Sequence, residues 1–247
     1  MRPREYGGDN SLDNSVPVPR EVHQSEFNQL WREVLGVLMG GRGMTQRLYP
    51  RVDGDYLEIR SEVERLVDRE SRFPAWPFKA PSGQVDICQY ALAIESPFGP
   101  VLQSLARTNG DRYVSLVVLE PSPESYYFEE YGSYPAFSLA VENLDTYGDV
   151  VAHEPDGDPT GAVTFTADVV AIVGDSGKWA VWGERWWDLS LVLTDSADGP
   201  WTRQGVDFVN VHDALDWFTE PPYKTPLDPA VREAFLANVR SRGSGPR

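Results

Sequence analysis

Between Ala162 and Thr194 apolar and polar positions alternate with a period of two. Val163, Phe165, Ala167, Val169, Ala171 and Val173 share one face; Thr164, Thr166 and Asp168 share the other, and Val170 and Ile172 make its far end apolar. Successive side chains of a strand point to opposite faces, so the pattern predicts a half-buried strand over 162–173. Gly174-Asp175-Ser176-Gly177 supplies turn residues, Lys178 to Trp182 a second strand, Gly183-Glu184-Arg185 a second turn, and Trp186 to Thr194 a third strand. Four tryptophans, Trp179, Trp182, Trp186 and Trp187, fall on both faces of this meander. With 150–250 Å² of surface each, roughly, they would dominate its packing.

Elsewhere the period changes to that of a helix. Phe27, Leu30, Trp31, Val34, Leu35 and Leu38 form one stripe, with Ser25 as a cap and Gly40-Gly41 as a stop. Tyr56, Ile59, Val63, Leu66 and Val67 predict a second helix from Asp55 to about Arg69. The prolines of FPAWPFKAPSG (73–83) exclude regular structure, leaving Phe73, Trp76 and Phe78 as plugs in a structured loop. Val85 to Glu95 and Tyr113 to Leu119 are expected as strands, with a short helix between them that opens at Ser96-Pro97 and stops at Asn109-Gly110. Residues 138–149 suit a helix, Asn210 caps another through Phe218, and Asp228-Pro229 starts the last, with Val231, Ala234, Phe235 and Val239 on its apolar face. The expected fold class is α+β: a mostly antiparallel sheet covered by N-terminal and C-terminal helices, in a single domain over 21–241 with disordered tails at 1–20 and 242–247.

Charge changes this picture more than composition does. The net charge is −16 over 247 residues, and no lysine or arginine occurs between Arg112 and Lys178, a segment with twelve acids. Phosphate binding needs cations to displace condensed counterions, so a segment this acidic disfavours nucleic acid and favours a basic protein partner or simple solubility. No apolar run is long enough for a membrane span, and no signal-peptide pattern opens the chain. With Cys88 as the single cysteine, an internal disulfide is excluded and a cytoplasmic location is expected.

Candidate chemistry is sparse. Ser176 in GDSG has the tetrapeptide of a serine nucleophile, but Lys178 and Trp179 follow where that motif continues with glycine and proline, so a turn is the better reading. Asp156, Asp158 and Thr160 resemble the opening of a calcium loop, but Ala167 stands where the bidentate glutamate belongs. Three scattered histidines and one cysteine argue against zinc, and no phosphate-binding loop occurs, so no cofactor is expected. The oddest local composition is PSPESYYFEEYGSYPAF (121–137), in which aromatics are mixed with acids. Tyrosine offers contact area at low entropic cost, so Tyr126, Tyr127, Glu129, Glu130, Tyr131 and Tyr134, together with Trp182 and Trp186, are the candidate binding residues.

The stretch GDSGKWAVWGERWWDLSLVLT resembles part of small immunity-type proteins of bacterial toxin systems, which place a strand, an SG-x-W turn, a second strand and a charged aromatic turn before a third strand. That resemblance implies an acidic, cytoplasmic, non-catalytic α+β protein that occludes a toxin domain. The expected function is therefore binding of a basic partner. Two alternatives remain open: a hydrolase or other enzyme whose site has no linear motif, using His153 or His212 beside a carboxylate, and a scaffold subunit docking through Val231, Phe235 and Val239.

Overall fold

The structure is a computed structural model that describes residues 47–80, 82–195, 205–216 and 226–244, all within the unit Met44–Arg247. The expected helix at 26–39 and the tail 1–20 lie outside the described residues, as does the end of the helix expected through Phe218. The strands are β1 (Arg47–Leu48), β2 (Gly83–Gln89), β3 (Tyr113–Glu120), β4 (Ala136–Ala140), β5 (Val169–Gly174), β6 (Trp179–Glu184), β7 (Leu189–Thr194) and β8 (Gly243–Ser244). They form one sheet in the order β1-β4-β3-β5-β6-β7-β2-β8, antiparallel except where β8 runs parallel to β2. The helices are α1 (Asp53–Glu64), α2 (Tyr90–Ala93), α3 (Gly99–Asn109), α4 (Glu129–Tyr131), α5 (Tyr147–Val151), α6 (Val163–Thr166), α7 (Val211–Ala214) and α8 (Pro229–Arg242), and the fold class is α+β as expected.

The central strands are apolar on both sides because both sides are covered. Val170 and Ile172 of β5 pack with Val101, Leu102 and Leu105 of α3 and with Tyr147 of α5. Val169, Ala171 and Val173 face the opposite core, with Tyr56, Ile59 and Val63 of α1 and Phe235, Leu236 and Val239 of α8. Trp179 enters the first core and Trp182 the second, so the tryptophans do serve both faces. Phe73, Trp76 and Phe78 plug the second core, and Phe73 meets Trp187 and Phe235 edge-on at 5.6 and 5.1 Å. Burying each large side chain contributes about 1.5–3 kcal/mol, so these two layers carry the fold.

Several boundaries differ from expectation. The first meander strand begins at Val169; residues 163–166 make a helical turn instead, with Thr166 and Ala167 N–H groups donating to the Ala162 and Val163 carbonyls. The neighbouring strand β6 has only six residues, so an earlier start would have had no ladder partner. Phe165 consequently stands 66% exposed. At the other turn the strand runs further than expected: Gly183 pairs with Ser190 and Glu184 with Leu189, and the turn falls at 185–188. Gly183 suits that place because the ring of Tyr90 lies 3.0 Å from where a Cβ would stand. The strand expected through Glu95 ends at Gln89, and the helix expected over 138–149 is replaced by the last residues of β4, a 3-10 turn and α5. The C-terminal stretch expected as a disordered tail continues α8 to Arg242 and adds Gly243–Ser244 to the sheet beside β2. Asn210 caps α7 through the N–H groups of His212 and Asp213, and Asp228 accepts from Ala230 at the start of α8, as expected of both.

Candidate functional site

One row of the sheet brings acids together from three strands. Glu120 at the end of β3 is opposite Val169, which is opposite Glu184 at the end of β6. Glu120 and Glu184 thus flank Val169, about 10 Å apart at their Cα atoms by strand spacing. Asp168 sits just outside the row, its N–H donating to the Glu120 carbonyl at 2.7 Å. These three acids, with Arg72, Phe73, Arg185, Trp186, Trp187 and Leu227, line a cleft of about 710 Å³ at that end of the sheet.

Each guanidinium in the cleft is held twice, by a carboxylate and by an aromatic face. Arg72 pairs with Glu120 at 2.9 Å and lies over the Trp182 ring at 5.9 Å. Arg185 pairs with Asp168 at 3.3 Å and lies over the Tyr90 ring at 5.1 Å; it also donates to the carbonyls of Ala167 and Thr164, which is what the α6 turn supplies. Glu184 differs from both acids. It is only 4% exposed, and its Oε1 accepts from the Phe73 N–H and the Trp182 indole N–H, each at 2.8 Å. No described residue donates a hydrogen bond to its Oε2. Burial pushes the Glu184 carboxyl above the usual range; the two N–H donors and Arg72 pull it down, and Glu120 adds to the rise. Burial also raises Asp168, against Arg185 and with Glu120. The mouth carries Trp186, 85% exposed.

Of the eight residues that the sequence singles out for binding, only Trp186 lines this cleft. Trp182, Tyr127, Tyr131 and Tyr134 are buried, which removes them as contact anchors. Their rings instead cover the core: Tyr134 stacks on Tyr56 at 4.1 Å and gives its hydroxyl to Asp53, and Tyr131 packs against Tyr127. Tyr126 is 40% exposed, and Glu129 and Glu130 of α4 are exposed beside it.

Other candidates become structural. The N–H of Ser176 donates to Asp111 at 2.5 Å, within a turn closed by Gly177 at φ 75°. Asp158 accepts from the N–H and hydroxyl of Thr160, which folds the would-be calcium loop onto itself, and among the described residues no three His, Cys, Asp or Glu side chains gather as metal ligands. Cys88 is buried in β2, and burial drives its thiol up, far from a reactive thiolate. His153 packs on Tyr49 at 4.8 Å, and His212 accepts from Arg240 at 2.7 Å. Neither histidine lines the cleft, as the histidine-based hydrolase alternative required. Phe235 and Val239 are used inside the molecule, so they offer no scaffold surface.

The sequence reading missed Glu120, Asp168, Glu184, Arg72 and Arg185. One signal was present: Trp182 and Glu184 are two residues apart in a strand, so an acid falls on a core-facing position. Assigning Glu184 to a turn hid it. Among the described residues no helix is long and apolar enough to cross a membrane. No family model, no curated protein and no solved structure matches the chain.

Proposed function

We propose that this protein is a non-catalytic binding protein that occludes a basic partner at the end of the sheet where the cleft opens. The observation that carries the reading is Trp186, a large aromatic 85% exposed at the mouth of an acid-lined cleft. Tryptophan is among the residue types most enriched at interface hot spots, and here it stands at the rim of a cleft rather than alone on a flat surface. The net charge of −16 and the acid-rich segment 113–177 would raise the association rate of a basic partner, and Glu120 and Asp168 of that segment line the cleft itself. An immunity-like inhibitor of a toxin domain, cytoplasmic as such proteins are, is the form of this reading that the hairpin resemblance suggests.

The test is a pull-down from native lysate with wild type and Trp186→Ala in parallel, washed at low and high salt. One stoichiometric basic protein, held by wild type, lost with Trp186→Ala and released by salt, is the expected result. A partner held equally by both chains would sink the assignment to this end of the molecule.

A second reading is favoured by the raised carboxyls of Glu184 and Asp168 in one cleft: a hydrolase using two carboxylates. A screen of chromogenic glycosides and esters decides it. Turnover by wild type that disappears in Asp168→Asn would replace the binding reading.

A further inference from the structure

The cleft already shows how it holds a guanidinium. Arg72 has Glu120 on one side and the Trp182 ring on the other; Arg185 has Asp168 and the Tyr90 ring. A third carboxylate, Glu184, and an exposed ring, Trp186, line the same cleft; the charge of Arg72 acts on Glu184, but Arg72 forms its ion pair with Glu120. Glu184 has its Oε1 filled by two N–H donors and no described donor on Oε2, and Trp186, two residues on in the following turn, is exposed and lines the same cleft. We propose that this third pair receives an arginine side chain of the partner, with the guanidinium on Glu184 and its face on Trp186. The inference rests on the binding reading and names the group that enters.

The charges agree. Three acids face two cations, and both cations are occupied by acceptors of the chain itself: Arg72 by Glu120 and the Arg69 and Ser71 carbonyls, Arg185 by Asp168 and the Ala167 and Thr164 carbonyls. The cleft is therefore rich in acceptors and poor in free donors, which suits a ligand made of donors. A guanidinium offers five N–H groups in a plane, can meet a carboxylate and stack on indole at once, and is less strongly hydrated than an ammonium. A cleft of about 710 Å³ also has room for the alkyl stem and flanking backbone.

The experiment titrates N-acetyl-arginine amide into the full chain, with N-acetyl-citrulline amide as the uncharged isostere and a neutral oligosaccharide as a third probe. The readout is the indole N–H resonance of Trp186, assigned by its loss in Trp186→Ala. The expected result is a saturable shift with the arginine probe, about tenfold weaker or more with citrulline because a charge-assisted hydrogen bond is lost. Glu184→Gln should weaken it by a similar factor. That variant keeps an oxygen for the Phe73 and Trp182 donors, so it should retain the wild-type fold, checked by its thermal transition. No saturable shift, equal binding of citrulline, preference for the oligosaccharide, or an unaffected Glu184→Gln would each overturn the inference. A partner captured through Trp186 but indifferent to Glu184→Gln would overturn it while leaving the binding reading intact. Arginine binding with no partner in the pull-down would do the reverse.

Discussion

The two ends of the β5–β6 hairpin hold the same kinds of residue and treat them differently. At the Gly174–Gly177 end, Asp111 takes the Trp179 indole N–H at 2.7 Å and the Ser176 N–H, while Asp175 takes the Arg112 and Tyr113 N–H groups and the Arg112 guanidinium. Gly174 has no Cβ because one would collide with the Asp111 carboxylate and the Trp179 indole. Acids and tryptophan are there consumed by the fold. At the Arg185–Asp188 end, Glu184 keeps an oxygen that no described residue addresses, Asp168 and Glu184 are raised by burial, and Trp186 projects outward. The lesson is that an acid beside a tryptophan is not itself a site; what marks a site is acceptor capacity and aromatic surface left over after the fold has taken its share.

The sharpest way to break this contrast is to remove the clasp at the structural end. Asp111→Ala leaves the buried Trp179 N–H and the Ser176 N–H without their acceptor, and unsatisfied buried donors cost about 1–3 kcal/mol each. A loss of about 3 kcal/mol is expected in urea unfolding. A loss below about 1 kcal/mol would mean that the two ends are not so different.

A smaller effect should come from binding. Trp186→Ala touches nothing in the core, so its stability should lie within about 0.5 kcal/mol of wild type, while affinity for the proposed basic partner falls about tenfold or more. Calorimetric unfolding with a binding titration reads both. A destabilised variant would assign Trp186 to packing.

The ionisation of Glu184 sharpens the comparison through pH. Its folded pKa is raised, so the folded chain holds this proton more tightly than the unfolded one. The stability it contributes is fully present below the ordinary glutamate value of 4.5 and is lost as pH rises through the raised folded value. Glu184→Gln has no such proton. Its melting temperature relative to wild type should therefore increase as pH climbs from below 4.5 toward neutrality. A difference that stays flat across that range would show that Glu184 is not strained by burial.

The smallest effect belongs to the exposed acids of α4. Glu129→Lys with Glu130→Lys should slow association with the proposed basic partner a few-fold and flatten its dependence on salt, with little change in dissociation, since peripheral charges act on encounter. An unchanged association rate would confine recognition to the cleft.

Much of this molecule was determined locally. The period of two set which residues of 169–173 and 189–193 share a face, because a strand has only two faces, but not that helices bury both of them. The stripe Tyr56, Ile59 and Val63 specified the buried side of α1, the prolines of 73–83 specified a plugged loop, and Asn210 and Asp228 specified helix starts. Tertiary structure alone decided the rest. Register is a property of pairs of strands, so nothing local could say that Glu120, Val169 and Glu184 stand in one row, with Asp168 at its edge. Nor could composition tell Trp182, folded under the loop at Phe73, from Trp186, four residues on and in solvent. Both are tryptophans beside acids, and only the length of the neighbouring strands, which ends β6 at Glu184, sends one inward and leaves the other at the mouth of the cleft.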